Sequence, residues 1–269
     1  MTFLLGPALL FCPADRPDRY EKAAERADAV ILDLEDSVAP ERRAGAREAL
    51  LAHPLDPART VIRINPAQSA DFRADLAAVG RSGYRMVMLP KVAGVRDLAG
   101  FGSLEIIALC ETAAGIVAAN HIAVHPNVVA LMWGAEDLVA SLGGTSSRFA
   151  DGSYRQVARH ARSVVLLAAG ASGRAAVDAV HLDIADHDGL AAEAEDAAAS
   201  GFAAVACIHP GQVHTIRAAF RPSEHEVAAA RELLAAAEGG VFQFRGRMID
   251  GPVLAQAAEV VRREGDPAR

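Results

Sequence analysis

The stretches AVILDLED (29–36), TVIRINP (60–66) and MVMLPKV (86–92) are short apolar runs that each end near polar residues. Such runs are typical of buried parallel β-strands, which are apolar on both faces and are bounded by residues that break secondary structure. Five further runs complete the series: ALLFCPA (8–14), IIALCET (106–112), VVALMWGAED (128–137), AVHLDIAD (179–186) and AAVACIHPG (203–211). The sequence therefore predicts eight strands.

Alanine-rich segments with helical spacing separate these strands, among them DRYEKAAERA, ERRAGAREALLA and LAAEAEDAAASG. The alternation predicts an α/β protein with a (β/α)8 TIM barrel. A doubly wound open sheet is the alternative, but it usually has fewer strands, and no GxGxxG follows the first strand here. The 269 residues suit one barrel of about 250 residues, so we expect residues 1–269 to form a single domain.

The chain continues past the eighth strand for longer than barrel closure requires. After the last barrel helix come EHEVAAARELLAAA, the segment GGVFQFRGRMIDGP and a final helix, VLAQAAEVVRR. We therefore expect a C-terminal helical extension, in which residues 239–269 form a tail that covers the site or contacts a neighbouring subunit.

Composition excludes several classes of protein. With 52% hydrophobic and 23% charged residues, the chain is not disordered, and a net charge of −7 without a basic run argues against nucleic-acid binding. No apolar run reaches the ~18 residues that span a bilayer, and the apolar N-terminus lacks the basic start of a signal peptide. We expect a soluble cytoplasmic protein whose cysteines, Cys12, Cys110 and Cys207, are buried and reduced.

Polar side chains gather at the carboxyl ends of the predicted strands, where TIM barrels carry their active sites. They are Asp33, Glu35, Asp36, Arg63, Asn65, Lys91, Glu111, Glu136, Asp137, Asp183, Asp186 and His209. Any one of the acids could instead cap the helix that follows it. So many polar residues at one rim nevertheless favour a functional site.

Glu111 and Asp137 end the adjacent fifth and sixth strands, so their carboxylates can converge on one hard cation. Mg²⁺ commonly takes one or two protein carboxylates and leaves its other positions to water and substrate. A ligand set without histidine argues against zinc. The alternative is that both acids cap helices.

Two cationic side chains lie inside or after strands. Arg63, within VIRIN, needs an anionic partner if it is buried, and that partner is either a ligand or an acid of the second strand. Lys91 could form a Schiff base, but we favour an ion pair with a strand-end acid. For His209 we favour a satisfied core histidine over a catalytic one.

The segment WGAEDL follows the sixth strand. Gly134 lets the backbone approach a ligand closely, so the amides beyond it, at Ala135 and Glu136, could hold a substrate carboxylate. We expect Met132 and Trp133 to be packing residues.

The strings LLFCPADRPDRYEKA, VILDLEDSVAPERRAGAR, VIRINP, VMLPKV, ALCETAAGI, LMWGAEDLVASLGG, HLDI and CIHPGQV occur in this order. These strings and their order cover nearly the whole chain and make it resemble the citrate lyase β-subunit family. That family belongs with malyl-CoA and citramalyl-CoA lyases in the HpcH/HpaI aldolase superfamily. The resemblance implies a Mg²⁺-dependent TIM barrel that forms trimers. It also implies that Glu111 and Asp137 hold Mg²⁺ and that Arg63 contacts the keto or hydroxyl oxygen of the substrate.

The resemblance extends to the tail and to the first loop. The family's Met-Ile-Asp-x-Pro pattern matches 248–252, which implies that Asp250 reaches a neighbouring subunit's site as acid or base. Arg16, Arg19 and Lys22 would contact coenzyme A (CoA). Many relatives carry an Arg-Ser pair before the first strand, where this chain has Gly6-Pro7.

The implied activity is retro-Claisen cleavage of a citryl-, citramalyl- or malyl-CoA type of β-hydroxyacyl thioester. The products are a keto acid, such as oxaloacetate, pyruvate or glyoxylate, and an acetyl thioester. Two alternatives stay open. One is a Mg²⁺-dependent aldolase that acts on free keto acids, and the other is a subunit that needs an acyl-carrier partner.

Overall fold

In the computed structural model, which describes residues 5–237 and 239–265, eight parallel strands close into a barrel in chain order. β1 pairs with both β2 and β8, which closes the barrel and confirms the predicted TIM fold. The strands are β1 (Ala8–Pro13), β2 (Ala29–Asp33), β3 (Thr60–Arg63), β4 (Met86–Leu89), β5 (Glu105–Cys110), β6 (Val128–Trp133), β7 (Ala175–Asp178) and β8 (Ala204–Cys207).

Helices cover the outside of the barrel and continue past β8. The helices are α1 (Tyr20–Arg26), α2 (Arg43–Ala52), α3 (Phe72–Arg81), α4 (Ala113–Ala123), α5 (Ala135–Ser141), α6 (Gln156–Ala171), α7 (His187–Ser200), α8 (Gln212–Phe220), α9 (Glu224–Ala235) and α10 (Gly251–Glu264).

The core has two layers because successive side chains of a strand point to opposite faces. Inside the barrel pack residues such as Leu9, Ile31 and Met88. Their chain neighbours, such as Leu10 and Leu32, pack outward against the helices. Both faces of each strand are therefore buried, and this explains why the strands read as continuous apolar runs rather than as an alternating pattern.

The predicted position of the seventh strand is wrong. β7 is the alanine-rich segment Ala175–Asp178, which pairs with β6 and β8, whereas AVHLDIAD (179–186) forms the loop between β7 and α7. Asp186 caps α7, since its Oδ1 accepts from the Gly189 N–H at 2.9 Å. Alternating apolar residues imitated a strand in this run, but Leu182 and Ile184 are exposed.

The tail contains a hairpin that the sequence pattern did not predict. β9 (Phe242–Phe244) pairs antiparallel with β10 (Arg247–Ile249) through a turn in which Arg245 and Gly246 both have positive φ. This backbone is that of a two-residue type I′ turn. α10 follows and packs against α9.

Two further expectations concern the chain as a whole. The three cysteines are free and buried, as predicted. In the part of the chain that the structure describes, no helix has both the length and the apolar character needed to cross a membrane.

Candidate active site

A cavity of about 430 Å³ lies at the carboxyl ends of the strands. One side of it is charged and contains Asp33, Asp36, Arg63, Glu111 and Asp137. The other side is largely apolar and contains Phe11, Leu109, Met132, Val180, Leu182 and Ile208. The cavity therefore combines charged and apolar lining residues.

Glu111 directly follows β5 and is only 3% exposed. Its Oε1 accepts from the Lys91 main-chain N–H at 3.1 Å. Gly134, at the end of the adjacent β6, leaves room for the other oxygen, because a Cβ at position 134 would lie 2.8 Å from Glu111 Oε2. Burial, and then the charges of Asp137 and Glu35, raise the pKa of Glu111 to about 8.

Asp137 lies in the first turn of α5 and is half-buried. It lines the same cavity as Glu111, and the Lys91 ammonium lies 3.5 Å from its Oδ1. Carboxylate oxygens are the ligands that Mg²⁺ prefers, and two of them with room for water and substrate suit this ion. The space that Gly134 leaves at Glu111, together with the excess of acidic groups, fits a divalent cation.

Arg63, at the end of β3, is held by acids of the β2 end. Its Nε and Nη2 each donate to a carboxylate oxygen of Asp33 at 2.6 Å, and its Nη1 lies 3.1 Å from Glu35 Oε2. The Phe11 ring covers the guanidinium at 4.8 Å from Cζ to the centroid. The anionic partners of Arg63 are therefore acids at the end of the second strand. Arg63 also lines the cavity.

Asp33 is itself fixed by the turn after β2. It accepts from the main-chain N–H groups of Glu35 at 2.9 Å and of Ser37 at 3.1 Å. Burial acts to raise the pKa of Asp33, but the hydrogen bonds from Arg63 prevail and hold it below its ordinary value. The Arg63–Asp33 pair is therefore ionised and rigid.

Lys91 forms the ion pair that the sequence analysis favoured over a Schiff base. Its Nζ lies 2.5 Å from Glu35 Oε1 and 3.5 Å from Asp36 Oδ2. Burial acts to lower the pKa of Lys91, but Glu35 outweighs it and raises the pKa above its ordinary value, so the side chain is an ammonium ion. Its backbone has a φ of 54°, in the left-handed region that only a few non-glycine residues adopt.

The segment after β6 brings Gly134, Ala135 and Glu136 to the cavity, with α5 beginning at Ala135. Glu136 accepts from the hydroxyl of Ser147 at 2.5 Å, so a second loop holds its side chain. Trp133 does more than pack, since its indole N–H donates to Asp178 at 2.6 Å.

Several other predicted polar residues have local structural partners. Asn65 donates to the buried Asp75, and Asp183 accepts from the Ala185 N–H. His209 is exposed rather than in the core, and its Nδ1 accepts from the Gly211 N–H at 3.1 Å. These residues stabilise the turns that follow the strands.

The predicted CoA ligands and the predicted acid lie outside the cavity. Arg16, Arg19 and Lys22 follow β1 at the same rim, and Arg16 pairs with Asp18. Asp250 caps α10, where it accepts from the Val253 N–H at 3.3 Å. None of these four predicted residues lines the cavity of its own chain.

Sequence reasoning missed two features of the region. Asp178 was not singled out because the seventh strand was misplaced, and a lone acid in an alanine-rich segment carries no signal. The apolar wall, with Phe11, Val180 and Ile208, is made of residue types that cannot be told from core residues in a sequence.

A family model described as HpcH/HpaI aldolase/citrate lyase matches residues 8–103 and 93–210. The chain belongs to this family. The predicted resemblance is therefore confirmed. A citrate lyase subunit beta-like protein of Mycobacterium tuberculosis is 54% identical over 263 residues, which cover 97% of this chain and 96% of that protein. The mitochondrial citramalyl-CoA lyase of Rattus norvegicus is 31% identical, with 94% of this chain and 84% of that enzyme covered.

Solved structures of family members show the same fold. The protein CitE of M. tuberculosis in complex with magnesium, acetoacetate and coenzyme A superposes with a TM-score of 0.93 at 54% identity, covering 97% of this chain and 98% of that one. The citrate lyase beta subunit of M. tuberculosis complexed with oxaloacetate and magnesium gives a TM-score of 0.80 at 56% identity, with 81% and 98% covered.

Proposed function

We propose that this chain is a Mg²⁺-dependent carbon–carbon lyase that cleaves a β-hydroxyacyl-CoA thioester into a keto acid and acetyl-CoA. The observation that carries the proposal is the cavity in which Glu111 and Asp137 lie beside the Arg63 guanidinium. The complexes of CitE with magnesium, acetoacetate and coenzyme A, and of the citrate lyase beta subunit with oxaloacetate and magnesium, support it. The buried, reduced cysteines and a CoA-linked substrate suit the cytoplasm.

In the reaction the substrate hydroxyl transfers its proton to solvent water, and its carbon becomes a ketone carbon as the carbon–carbon bond breaks. The electron pair of that bond passes to the acetyl thioester as an enolate, which then takes up a proton. Mg²⁺ held by Glu111 and Asp137 would supply Lewis-acid stabilisation of negative charge on the substrate oxygens. Arg63 adds a positive charge beside those oxygens, and its clamp by Asp33 keeps that charge in place without reorganisation.

Asp250 is our candidate for the acid that protonates the enolate, acting in the site of a neighbouring subunit of a homotrimer. Because Asp250 does not line the cavity of its own chain, this role requires the site of another subunit. The exposed apolar residues of the hairpin segment, Val241 at 66% and Met248 at 70%, suit contact with a second chain. Arg16, Arg19 and Lys22 lie at the rim near β1, where positive charge would attract the phosphates of CoA.

A substrate panel tests the proposal. The purified chain is incubated with Mg²⁺ and malyl-, citramalyl-, citryl- or 3-hydroxy-3-methylglutaryl-CoA, the last because its cleavage would release acetoacetate. Mass spectrometry should detect acetyl-CoA and one keto acid from at least one thioester, and chelation by EDTA should abolish it. Cleavage of free hydroxy-keto acids alone would instead identify an aldolase. Activity only with an acyl-carrier thioester would identify a dependent subunit.

Subunit mixing tests the placement of Asp250. Asp250→Asn and Glu111→Gln should each be inactive alone. If the acid acts between subunits, hybrid oligomers formed by mixed refolding regain activity, because some sites then combine an intact Glu111 with an intact Asp250. Full activity of Asp250→Asn, or no recovery in hybrids of verified composition, would exclude the cross-subunit acid.

A further inference from the structure

Lys91 contacts both candidate metal ligands through different parts of the residue. Its main-chain N–H donates to Glu111 Oε1 at 3.1 Å, and its ammonium lies 3.5 Å from Asp137 Oδ1. The same ammonium lies 2.5 Å from Glu35 Oε1. One residue thus links the end of β4 to acids that follow β2, β5 and β6.

The backbone of Lys91 is unusual in a way that serves these contacts. Within the described residues, only Lys91 and Arg245 are non-glycine residues with positive φ, and Arg245 is in the hairpin turn. Strained backbone of this kind persists only where surrounding contacts hold it, and it concentrates at functional sites. Here it lets the amide and the side chain of one residue turn toward the same acidic cluster.

The Lys91 ammonium partly neutralises acids that have few other positively charged neighbours. Glu35 is almost fully buried, and its Oε2 forms no hydrogen bond although Arg63 Nη1 lies 3.1 Å away. Asp36 and Asp137 have no cation nearer than 3.5 Å among the described residues, and Lys91 provides that contact in both cases. Removing one positive charge here makes the cluster more attractive to a divalent cation.

We propose that Lys91 is a positioning residue that sets the divalent-cation affinity of the site. Its ammonium holds Asp137 and the neighbouring acids together in the metal-free protein and competes with the cation for Asp137. The proposal rests on one part of the proposed function, namely that Glu111 and Asp137 bind Mg²⁺. It adds a role for a side chain that does not itself line the cavity.

Calorimetric titration of Mg²⁺ into Lys91→Met tests this role without any assay of turnover. Like charges a few ångströms apart in a partly buried site interact strongly, so loss of the ammonium should tighten Mg²⁺ binding about tenfold or more. Lys91→Arg keeps the charge and should bind within about threefold of wild type on the same argument. Arg85→Met removes a positive charge from the exposed position just before β4, at the opposite end of the barrel, and should leave the affinity unchanged.

Two outcomes would overturn the proposal, and a second variant covers a failure to fold. If wild type binds Mg²⁺ and Lys91→Met binds it equally well or more weakly, the role of Lys91 is excluded while the proposed function stands. If wild type, Glu111→Gln and Lys91→Met bind no Mg²⁺ at all, both proposals fall. If Lys91→Met does not fold, Lys91→Asn replaces it, because asparagine adopts the left-handed conformation readily.

The wild-type protein offers an independent measurement because the chain has only two lysines, Lys22 and Lys91. Protein labelled with ¹³C at lysine Cε therefore gives two signals, which Lys22→Arg assigns. Addition of Mg²⁺ should shift the Lys91 signal and leave that of Lys22 in place. A Lys91 signal that does not respond to saturating Mg²⁺ would overturn the proposal even if no variant folds.

Discussion

The charged groups of the barrel mouth and those beside β7 differ in how far they neutralise one another. At the mouth, the acids Asp33, Glu35, Asp36, Glu111 and Asp137 lie near two cations among the described residues, Arg63 and Lys91. Beside β7, a cavity of about 600 Å³ is lined by Arg148, Arg162, Asp178, His181 and Glu193. These groups pair with one another, and this difference supports our proposal that the smaller cavity is the active site.

The pairing beside β7 is extensive. Arg162 donates to Asp178 at 2.7 Å and to Asp196 at 2.6 Å, while Arg148 and His181 both pair with Glu193. Uncompensated charge is costly to bury, so a fold retains it only where another group supplies the missing charge. The contrast supports the proposal that the mouth serves binding and catalysis, whereas the β7 network stabilises the fold.

The largest expected effect is on catalysis at the mouth. Glu111→Gln should lower turnover about 10³-fold or more, because it removes an anionic Mg²⁺ ligand. Its metal-free form should be at least as stable to unfolding at pH 8 as wild type, since an amide avoids the cost of ionising this buried group. Steady-state rates and urea unfolding measure the two quantities.

Glu105→Gln is the control for that variant, because it changes a carboxylate at the start of the same strand, away from the mouth. We expect wild-type turnover from it. If Glu111→Gln has wild-type turnover with Mg²⁺, the barrel mouth would not differ from the β7 network in serving catalysis.

The second effect is on stability beside β7. Arg162→Met leaves Asp178 buried without its main cationic partner and should lower the free energy of unfolding by about 3–5 kcal/mol. The protein that remains folded should keep near-normal turnover. Arg81→Met breaks the exposed Arg81–Glu48 pair and should cost less than about 1 kcal/mol. Equal losses in both variants, measured by urea unfolding, would contradict a specialised network.

The smallest effect is the pH dependence of the same network. The hydrogen bond to Glu193 raises the pKa of His181 above its ordinary value. A raised histidine pKa contributes stability that is fully present below the unfolded pKa of about 6.5 and is lost as pH rises through the folded pKa. The difference in unfolding free energy between wild type and His181→Gln should therefore be larger at pH 6 than at pH 9. A difference that grows with pH would show that the pair is not ionised.

Much of the fold was predictable because burial leaves a local pattern. Seven of the eight strands coincide with apolar runs, and the carboxyl ends of those runs place Arg63, Lys91 and Glu111 at one rim. The seventh strand was misplaced because AAVD carries less of that pattern than the exposed, alternating residues that follow it. The hairpin of the tail is short and half-exposed, so it left no pattern to detect.

The sequence by itself determined the barrel, the family and the rim at which acidic and basic side chains meet, since each depends on residue types and their order. Only the tertiary structure decided which charges neutralise one another. The Arg63–Asp33, Arg162–Asp178 and Lys91–Glu35 ion pairs join residues 30, 16 and 56 positions apart. Their pairing depends on the closure of the barrel and on backbone angles such as that of Lys91, which no local pattern of residues specifies.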